Sequence, residues 1–268
     1  MSDRQSSIEF FEMDVFGHPI RLPRLPEYRK FYDKLRARSW EPRTFKILAD
    51  NLDKSITYVD VGAWIGVTSY WASQVAKSVV AVEPDPRCNE ILRGSLACYP
   101  NVTFLSGALS PDPTVKVNAV SGFGSSETTA LPIGEGESVI VRGYSVEDIM
   151  REAGSGPCFI KIDIEGYEYN LLAELAKFAN YDIKGVQCAV HPQLYERSLA
   201  GPWFVRRLRT LSLTYRIARL FPRLCKFAHV PRYQGLARYF LRGVLLRRIP
   251  KGTDFVFLNG LTTKQKSP

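Results

Sequence analysis

The chain has 268 residues, a formal net charge of +9 and a hydrophobic fraction of 45%, values typical of a globular protein with a full core. Its five cysteines are scattered and form no C-x-x-C pair, which argues against a zinc site or a disulfide framework and for reduced thiols. The first residues do not resemble a signal sequence, and no apolar run approaches the roughly 18 residues of a membrane span. We therefore expect a cytoplasmic protein, either soluble or peripheral to the inner face of the membrane.

We expect one domain over residues 1–268. Its parts, in order, are a lead-in at 1–54, a cofactor-binding core at 55–200, a basic segment at 203–251, and a last strand with a short tail at 252–268. Within the lead-in, two short strands flank the turn at Gly17, and helices are predicted at 28–37 and 42–52.

Strands and helices alternate through the core. The predicted strands lie at 56–61, 79–83, 102–106, 158–164 and 184–190, and the predicted helices at 67–77, 86–98, 145–152 and 167–178. This alternation is typical of an α/β fold, with a mostly parallel sheet covered by helices on both faces. Because right-handed crossovers bring the carboxyl ends of parallel strands to one edge, residues that follow these strands should converge there.

The stretch from Thr57 to Gly66, TYVDVGAWIG, predicts a strand that breaks into a glycine loop before a helix begins near Val67. Such a turn presents backbone N–H groups and a helix N-terminus to a ligand. Gly62 and Gly66 allow positive φ and let a ligand approach the backbone closely. An ordinary strand-to-helix turn is the alternative interpretation.

The following strand, SVVAVE, ends on Glu83, about 20 residues after the glycine loop, where a carboxylate can accept hydrogen bonds from a ribose diol. Asp85 could serve nearly as well, and a solvated carboxylate at the strand end is the alternative. The loop lacks the G-x-G-x-x-G spacing of dinucleotide sites, so a single nucleoside such as S-adenosylmethionine fits better.

The decapeptide FIKIDIEGYE, Phe159 to Glu168, places three charged residues, Lys161, Asp163 and Glu165, in a central strand. Burying such charges unpaired costs several kcal/mol, so they need partners or a function. One interpretation is a structural network in which Lys161 pairs with a carboxylate. The other is a carboxylate pair beside a reacting group, acting as base, metal ligand or acceptor orienter.

Residues 110–144 interrupt the alternation. Two strands are suggested, one by Val115, Val117 and Val120 and the other by Val139 to Val141. The Gly- and Ser-rich stretch between them is either a mobile hairpin loop or a lid over the acceptor site. In the second case, Ser125 and Ser126 are candidate contacts.

Four motifs in this order, DVGAWIG, AVEPDP, GYSVEDIM and FIKIDIEGYE, resemble the FkbM family of S-adenosylmethionine-dependent methyltransferases, and DFVFLN resembles the family's closing strand. The match covers roughly residues 40–259. It implies a Rossmann-like methyltransferase fold with a seven-stranded sheet whose last strand is antiparallel. It also implies methyl transfer, usually to a hydroxyl of a sugar, polyketide or related metabolite.

The resemblance also implies roles for individual residues. Asp60, Gly62 and Gly66 would hold the amino-acid end of S-adenosylmethionine, and Glu83 would bind the ribose. Ser106, Gly107 and Ala108 would lie near the adenine. Asp163 and Glu165 would face the transfer site. Trp64 departs from the family, which tends to have a small polar residue there. It either narrows the pocket or packs outward.

Methyl transfer from a sulfonium is an in-line displacement, so most of the rate can come from alignment and desolvation. A hydroxyl acceptor must still lose a proton, and His191, just after a strand, is a candidate base. A helix-capping or loop histidine is an equal alternative. Asp163, Glu165 and His191 could instead bind a divalent metal ion, but we predict none.

The basic segment contains thirteen Lys and Arg residues and no Asp or Glu between Trp203 and Lys251, so the remainder carries a charge of −4. We predict a sixth strand at 213–220, a seventh at 254–258, and a long insertion between them with a helix at 236–249. The insertion either packs on the sheet, contacts an anionic membrane, or recruits an anionic acceptor such as a phosphate-linked, lipid-linked glycan. Nucleic acid is the weaker interpretation, because basic charge alone is unspecific.

The sequence thus predicts an O-methyltransferase that acts on a glycan or small-molecule hydroxyl. The alternatives are a binding protein without catalysis that retains the fold, and a nucleic-acid methyltransferase that uses the basic segment.

Overall fold

The computed structural model describes residues 8–119, 121–133, 136–224 and 251–258. Its strands are β1 (Phe10–Val15), β2 (His18–Pro23), β3 (Thr57–Val61), β4 (Ser78–Glu83), β5 (Val102–Ser106), β6 (Ala108–Leu109), β7 (Thr114–Ala119), β8 (Thr128–Thr129), β9 (Ser138–Tyr144), β10 (Cys158–Ile162), β11 (Ile183–Val190) and β12 (Thr253–Leu258). Its α-helices are α1 (Arg29–Arg36), α2 (Pro42–Asn51), α3 (Val67–Val75), α4 (Pro86–Leu96), α5 (Val146–Ala153), α6 (Leu172–Ala176), α7 (Pro192–Ser198) and α8 (Trp203–Leu224).

The central sheet has the strand order β12-β11-β10-β3-β4-β5. All neighbouring pairs are parallel except β11 and β12, which are antiparallel. β10 lies in the middle, paired with β3 on one side and β11 on the other, and every residue of it is buried. The predicted α/β fold and its antiparallel last strand are confirmed.

The strand predicted at 213–220 is wrong, because these residues lie inside helix α8. The described sheet therefore has six strands, where seven were expected. In α8, a buried stripe with helical spacing faces the sheet: Leu211, Thr214, Ile217, Ala218 and Phe221. Phe221 packs on Phe257 of β12 with ring centroids 5.5 Å apart, so the helix covers this edge of the sheet.

One predicted helix, at 167–178, is broken into three short pieces. Two 3₁₀ turns, Tyr167–Asn170 and Lys177–Asn180, flank the five-residue helix α6. The helix predicted at 236–249 lies outside the described residues, as does Val120.

Residues 110–144, which interrupt the alternation, form a second, four-stranded sheet together with β6, in the order β6-β9-β7-β8. Val115 and Val117 lie in β7 and Val139 to Val141 in β9, as predicted. The motif GYSVEDIM forms the transition from β9 to α5. Ser145 caps this helix reciprocally with Asp148, and this capping box fixes where the helix begins.

The lead-in lies beside the central sheet. The β1–β2 hairpin packs against α3, and α2 is tied to β11 by a 2.8 Å hydrogen bond that Gln187 Nε2 donates to Thr44 Oγ1. An aromatic cluster joins α1 to the glycine loop, since the Phe31 ring lies 5.1 Å from Trp40 and 4.7 Å from Trp64. The lead-in thereby forms one wall of the sheet's carboxyl edge.

Gly62 lies where the loops after β3 and β10 approach each other closely. Its φ is +88°, and a Cβ there would lie 1.9 Å from the carbonyl oxygen of Asp163. The glycine therefore sets the distance between these two loops as well as the direction of the turn.

We expect Gly62→Ala to destabilise the protein by about 3 kcal/mol or more, because left-handed strain and a steric clash with the backbone add together. Gly17→Ala is the matched control, since Gly17 has a φ of +89° and nothing within 4 Å of an added Cβ. It should cost only the left-handed strain of about 1–2 kcal/mol. Urea unfolding of both variants measures the difference, and equal losses would contradict the close-packing role of Gly62.

Candidate active site

Two adjoining cavities open at the carboxyl edge of the central sheet, with volumes of about 620 and 40 Å³. Six residues line both of them: Gly62, Trp64, Ser125, Ser126, Asp163 and Glu165. His191 lines the larger cavity, and Glu83 lines the smaller one. The expected convergence of strand ends is therefore confirmed.

Lys161 and Asp163 form the centre of a buried charge network. Lys161 Nζ lies 3.1 Å from Asp163 Oδ2 and 3.9 Å from Asp60 Oδ1, and the Lys161 side chain is almost fully buried. Burial alone would lower the pKa of Lys161, but Asp163, Asp60 and Glu41 together hold it well above its usual value. Burial would likewise raise the pKa of Asp163, yet Lys161 and His191 outweigh it and lower that pKa. Both groups are therefore ionised at neutral pH.

His191 lies among three carboxylates. Its Nε2 is 3.8 Å from Asp163 Oδ1 and 3.6 Å from Glu165 Oε2, and its Nδ1 is 3.7 Å from Glu168 Oε1. Burial would lower its pKa, but these three carboxylates raise it to about 10. His191 is therefore protonated at neutral pH within this cluster, and its role as a base stays a prediction.

Glu165 follows β10 in a left-handed conformation, with a φ of 51°. Burial raises its pKa to about 8, and the neighbouring carboxylates of Asp163 and Glu168 add to that effect. Ligand atoms of Asp163, Glu165 and His191 lie within 4.8 Å of one another, so these three residues could hold a divalent metal ion. Without a metal ion, the positive charge beside the carboxyl groups of Asp163, Glu165 and Glu168 comes from the protonated ring of His191.

Glu83 is held rigidly at the end of β4. Its Oε2 accepts the backbone N–H of Trp64 at 2.7 Å, and its Oε1 accepts that of Asp85 at 2.8 Å. Burial raises the pKa of Glu83 to about 8 despite these two donors, and Asp85 and Asp60 contribute to the rise. Glu83 is thus a buried carboxyl that lines the smaller cavity.

The other residues assigned to the cofactor lie at different depths. Gly107 and Ala108 line the smaller cavity with Glu83, whereas Ser106 does not. Asp60 and Gly66 line neither cavity. Asp60 Oδ2 accepts hydrogen bonds from the hydroxyls of Thr68 and Ser69, so this carboxylate ties β3 to the start of α3.

Trp64 lines both cavities. Its Nε1–H donates to the Gly124 carbonyl at 3.1 Å, and its ring packs edge-on against Phe31 and Tyr28. Trp64 therefore lies in the site and does not point outward. Its φ is 51°, a conformation in which a bulky residue is strained.

Residues 121–129, the lid segment, are pinned over the glycine loop. Asp85 Oδ2 accepts the backbone N–H of Gly124 at 2.9 Å and the hydroxyl of Thr128 at 2.6 Å. The other oxygen of Asp85 caps α4 by accepting the N–H groups of Arg87 and Cys88. Of the two interpretations of this segment, a mobile loop and a lid, these contacts favour the lid.

Sequence analysis missed two acidic residues. Glu41 lines the larger cavity in a left-handed conformation, with a φ of 43°, but no motif surrounds it. Burial raises the pKa of Glu41, while Lys161 lowers it. Glu168 is fully buried and accepts the N–H of Ile164 at 3.0 Å. Glu168 is the last residue of the motif FIKIDIEGYE. Its position five residues after Asp163, in a motif already assigned to the site, is the feature of the sequence that could have identified it.

The central sheet and its helices define a Rossmann-like methyltransferase fold. A model of the family described as the methyltransferase FkbM domain matches residues 60–227. The chain therefore belongs to the FkbM family of methyltransferases, a fold and family that imply the use of S-adenosylmethionine. A search of curated proteins finds no significant match.

Three solved structures with a similar fold are distant in sequence. An FkbM methyltransferase from Methylobacillus flagellatus is 19% identical, with a TM-score of 0.38 over 67% of this chain and 44% of that one. The 23S rRNA methyltransferase ErmE is 12% identical, with a TM-score of 0.32 over 58% and 48%. The fibrillarin pre-rRNA processing protein of Methanococcus jannaschii is 10% identical, with a TM-score of 0.41 over 96% and 86%. The chain thus spans about half the length of two of these proteins, and at these TM-scores the likenesses carry no argument about substrate.

The site offers the polar groups that S-adenosylmethionine needs. The larger cavity lies within the size range of small-molecule sites, and the fixed carboxyl of Glu83 lines the smaller cavity that adjoins it. The cavity beside Glu83, where the sequence predicts the nucleoside of the cofactor, holds only about 40 Å³ under the lid segment. The residues fit the group, provided that the lid segment moves away from Asp85.

We expect Thr128→Val to loosen the lid segment, because it removes one of the two hydrogen bonds to Asp85 Oδ2. Amide hydrogen exchange within residues 121–129 should become several-fold faster, because the lost hydrogen bond lowers the free energy of local opening by about 1 kcal/mol. Ser121→Ala is the control, since Ser121 bonds Glu127 within the same segment and does not contact Asp85. Equal exchange rates in both variants would show that Asp85 does not hold the lid.

Proposed function

We propose that this protein is an S-adenosylmethionine-dependent O-methyltransferase that acts on a hydroxyl of a glycan or small-molecule metabolite. One observation carries the proposal. Asp163 Oδ1 is buried and has no hydrogen-bond partner in the described part of the chain, at the wall that both cavities share. An ionised carboxylate oxygen in such a place is suited to accept the proton of a hydroxyl.

Asp163 replaces His191 as the base in this proposal. A group with a lowered pKa is a weak base, but an oxygen that has gained a methyl group is positively charged and loses its proton readily. A weak, ionised and correctly placed acceptor is therefore sufficient. Lys161 holds the other oxygen of Asp163 and fixes its direction.

The imidazolium of His191 contributes charge and position. It lies between Glu165 and Glu168, and it keeps Asp163 ionised through its positive charge. Glu168, anchored by the N–H of Ile164, fixes the imidazole ring on its far side. Both groups act through Asp163 and are positioning residues.

When bound, S-adenosylmethionine supplies an electrophilic methyl group on a positively charged sulfur. Glu83 would hold its ribose, Gly107 and Ala108 would lie along its adenine, and Gly62 would lie near its amino-acid end. Since Asp60 and Gly66 line neither cavity, their contribution would be to shape the loop. The buried walls would exclude water from the reacting oxygen.

The larger cavity suits a carbohydrate acceptor. Phe31, Trp40 and Trp64 provide aromatic walls, and Glu41 and Glu165 provide carboxylates that can accept hydrogen bonds from ring hydroxyls. Lys30 and Lys34, one turn apart on α1, are exposed and also line this cavity. They could pair with an anionic group, as in a phosphate-linked glycan.

Calorimetric titration with S-adenosylmethionine and with S-adenosylhomocysteine tests the cofactor assignment, and binding of both is expected. A ribose diol donates to an ionised carboxyl, so proton loss from Glu83, whose pKa is about 8, should accompany binding. Affinity should therefore rise as the pH rises through 8 and level off above it. Glu83→Gln should bind more weakly and lose this part of the pH dependence.

Glu174→Gln is the matched control. Like Glu83, Glu174 is buried and accepts a hydrogen bond from a backbone N–H group, here that of Val146, but it lines neither cavity. Its cofactor affinity should follow the wild-type pH profile. If Glu83→Gln follows the wild-type profile as well, the ribose is not held by Glu83. Absence of binding to the wild-type protein would overturn the enzyme proposal.

We expect Asp163→Asn to lower kcat by about 10²- to 10⁴-fold, with cofactor affinity changed little, because the base is lost while the cofactor contacts persist. Asp182→Asn is the control, since Asp182 also pairs with a lysine two residues away, Lys184, but on the surface. Its kcat should equal that of the wild-type protein. Turnover with candidate glycan acceptors measures both.

Turnover should also survive a strong chelator, because the proposal uses a proton acceptor and no metal ion. Loss of activity that Mg²⁺ or Mn²⁺ restores would assign Asp163, Glu165 and His191 to a metal site. Normal turnover of Asp163→Asn would remove Asp163 from the reaction altogether.

A further inference from the structure

Helix α8 has two faces, and among the described residues one of them packs against the rest of the protein. The buried face contacts the sheet and the segments after β10 and β11, for example through a 2.8 Å hydrogen bond between the hydroxyls of Tyr169 and Thr214. Arg207 on this face is neutralised by Glu196, with Nε 2.6 Å from Oε2. The buried face is therefore packed against the described chain, and the charge of Arg207 on it is paired.

The opposite face exposes large apolar side chains. In the described part of the chain, six large hydrophobic residues are exposed, and five of them lie on α8; the sixth is Ile140. Phe204, Val205 and Leu208 are 52%, 48% and 58% exposed. Such a concentration on one helix is uncommon on a protein surface that meets only water.

The same face is strongly basic. With 3.6 residues per turn, Phe204, Leu208, Arg209, Tyr215 and Arg216 fall within an arc of about 140° on the exposed side of the helix. No Asp or Glu occurs anywhere in α8. Apolar and cationic side chains thus alternate on the exposed face of α8, and the helix has no acidic residue to neutralise its arginines.

A groove beside this face adds a place for an anion. Arg209, Ser212 and Arg216 of α8, with Asn170 and Tyr195, line a cavity of about 450 Å³. Two guanidinium groups, a hydroxyl and an amide are the donors that a phosphate group requires.

We propose that the exposed face of α8 docks on an anionic lipid membrane. Phe204, Val205 and Leu208 insert among the acyl chains near the headgroups. Arg209 and Arg216 bind lipid phosphates, and one of these phosphates occupies the groove. Aromatic and aliphatic side chains next to arginines are suited to the interfacial region, where one end of a group is apolar and the other hydrated. No helix in the described residues has the length and hydropathy to span a bilayer, and this contact does not need one.

Charge favours a lipid surface over a second copy of the chain. A two-fold contact through α8 would place its arginines against identical arginines, with no acidic residue on the helix to separate them. Nucleic acid would pair with the arginines but would leave the aliphatic Val205 and Leu208 exposed.

Flotation of the full-length protein with phosphatidylcholine vesicles, with and without phosphatidylglycerol, tests the proposal. The wild-type protein should bind the vesicles that contain phosphatidylglycerol, more weakly at higher ionic strength, and should not bind phosphatidylcholine alone. Arg209→Ala with Arg216→Ala should weaken binding about 30-fold. Phe204→Ser with Leu208→Ser should weaken it about 100-fold or more.

Two control variants match these changes elsewhere on the surface. Ile140→Ser removes the exposed apolar residue that lies outside α8, and Arg29→Ala with Arg93→Ala removes two exposed arginines of other helices. Both should float like the wild-type protein, and all four variants should have unchanged thermal unfolding, since each alters exposed positions.

Failure of the wild-type protein to bind anionic vesicles, or equal binding by the α8 variants and their controls, would overturn the proposal. A concentration-dependent dimer that Phe204→Ser with Leu208→Ser abolishes in sedimentation would assign the face to a second copy instead. Tighter binding to a short RNA than to vesicles, lost in the arginine variant, would assign it to nucleic acid. The flotation assay uses neither cofactor nor acceptor, so its result is independent of the proposed methyl transfer.

Discussion

The structure of the site depends on one buried cation. Lys161 lies near the carboxyl end of the central strand β10, with almost no exposure, and its ammonium is held by Asp163 on one side and Asp60 on the other. A lysine buried without those carboxylates would lose its charge or unfold the strand. The three groups therefore form a unit in which Asp60 fixes β3 to α3 and Asp163 projects into the cavity. The remaining charges, His191, Glu165 and Glu168, are arranged around that unit.

Sequence patterns predicted the features of the structure that depend on neighbouring residues, namely the positions of the central strands and the edge at which they end. The apolar runs around Val59, Val80 and Ile160 located the central strands, and the residues that follow them could be placed at one edge of the sheet because parallel connections have a fixed hand. The pairing of Lys161 followed from the cost of burying it. The protonation of His191 did not, because its pKa depends on Glu168, which the broken helix after β10 turns toward the imidazole ring.

Patterns failed where a competing periodicity or a long-range contact decided the structure. In α8, LTYRIARL alternates like a strand, and Thr210 and Thr214 on the buried face made the helical stripe appear less apolar than its burial shows. Glu41 carries no signal in its neighbourhood, since it meets Lys161 and Asp163 only through the tertiary fold. Three of the five non-glycine residues with positive φ in the described chain, Glu41, Trp64 and Glu165, line the same cavity. Strain of this kind persists only when the surrounding structure enforces it, and it is invisible in a sequence.

The contact between Gly62 and the backbone of Asp163 has a consequence for how the acceptor range of such a protein can change over evolution. Main-chain atoms in van der Waals contact set the spacing between the glycine loop and the proposed base, so no side-chain conformation in the acceptor cavity has to maintain it. Under the proposed function, substitutions at Phe31, Trp40 or the lid serines would reshape the cavity for a different acceptor while the spacing between the glycine loop and Asp163 is kept. For the proposed methyl transfer, this arrangement would let new acceptor preferences arise by single substitutions in the cavity wall, without a change at the reacting groups.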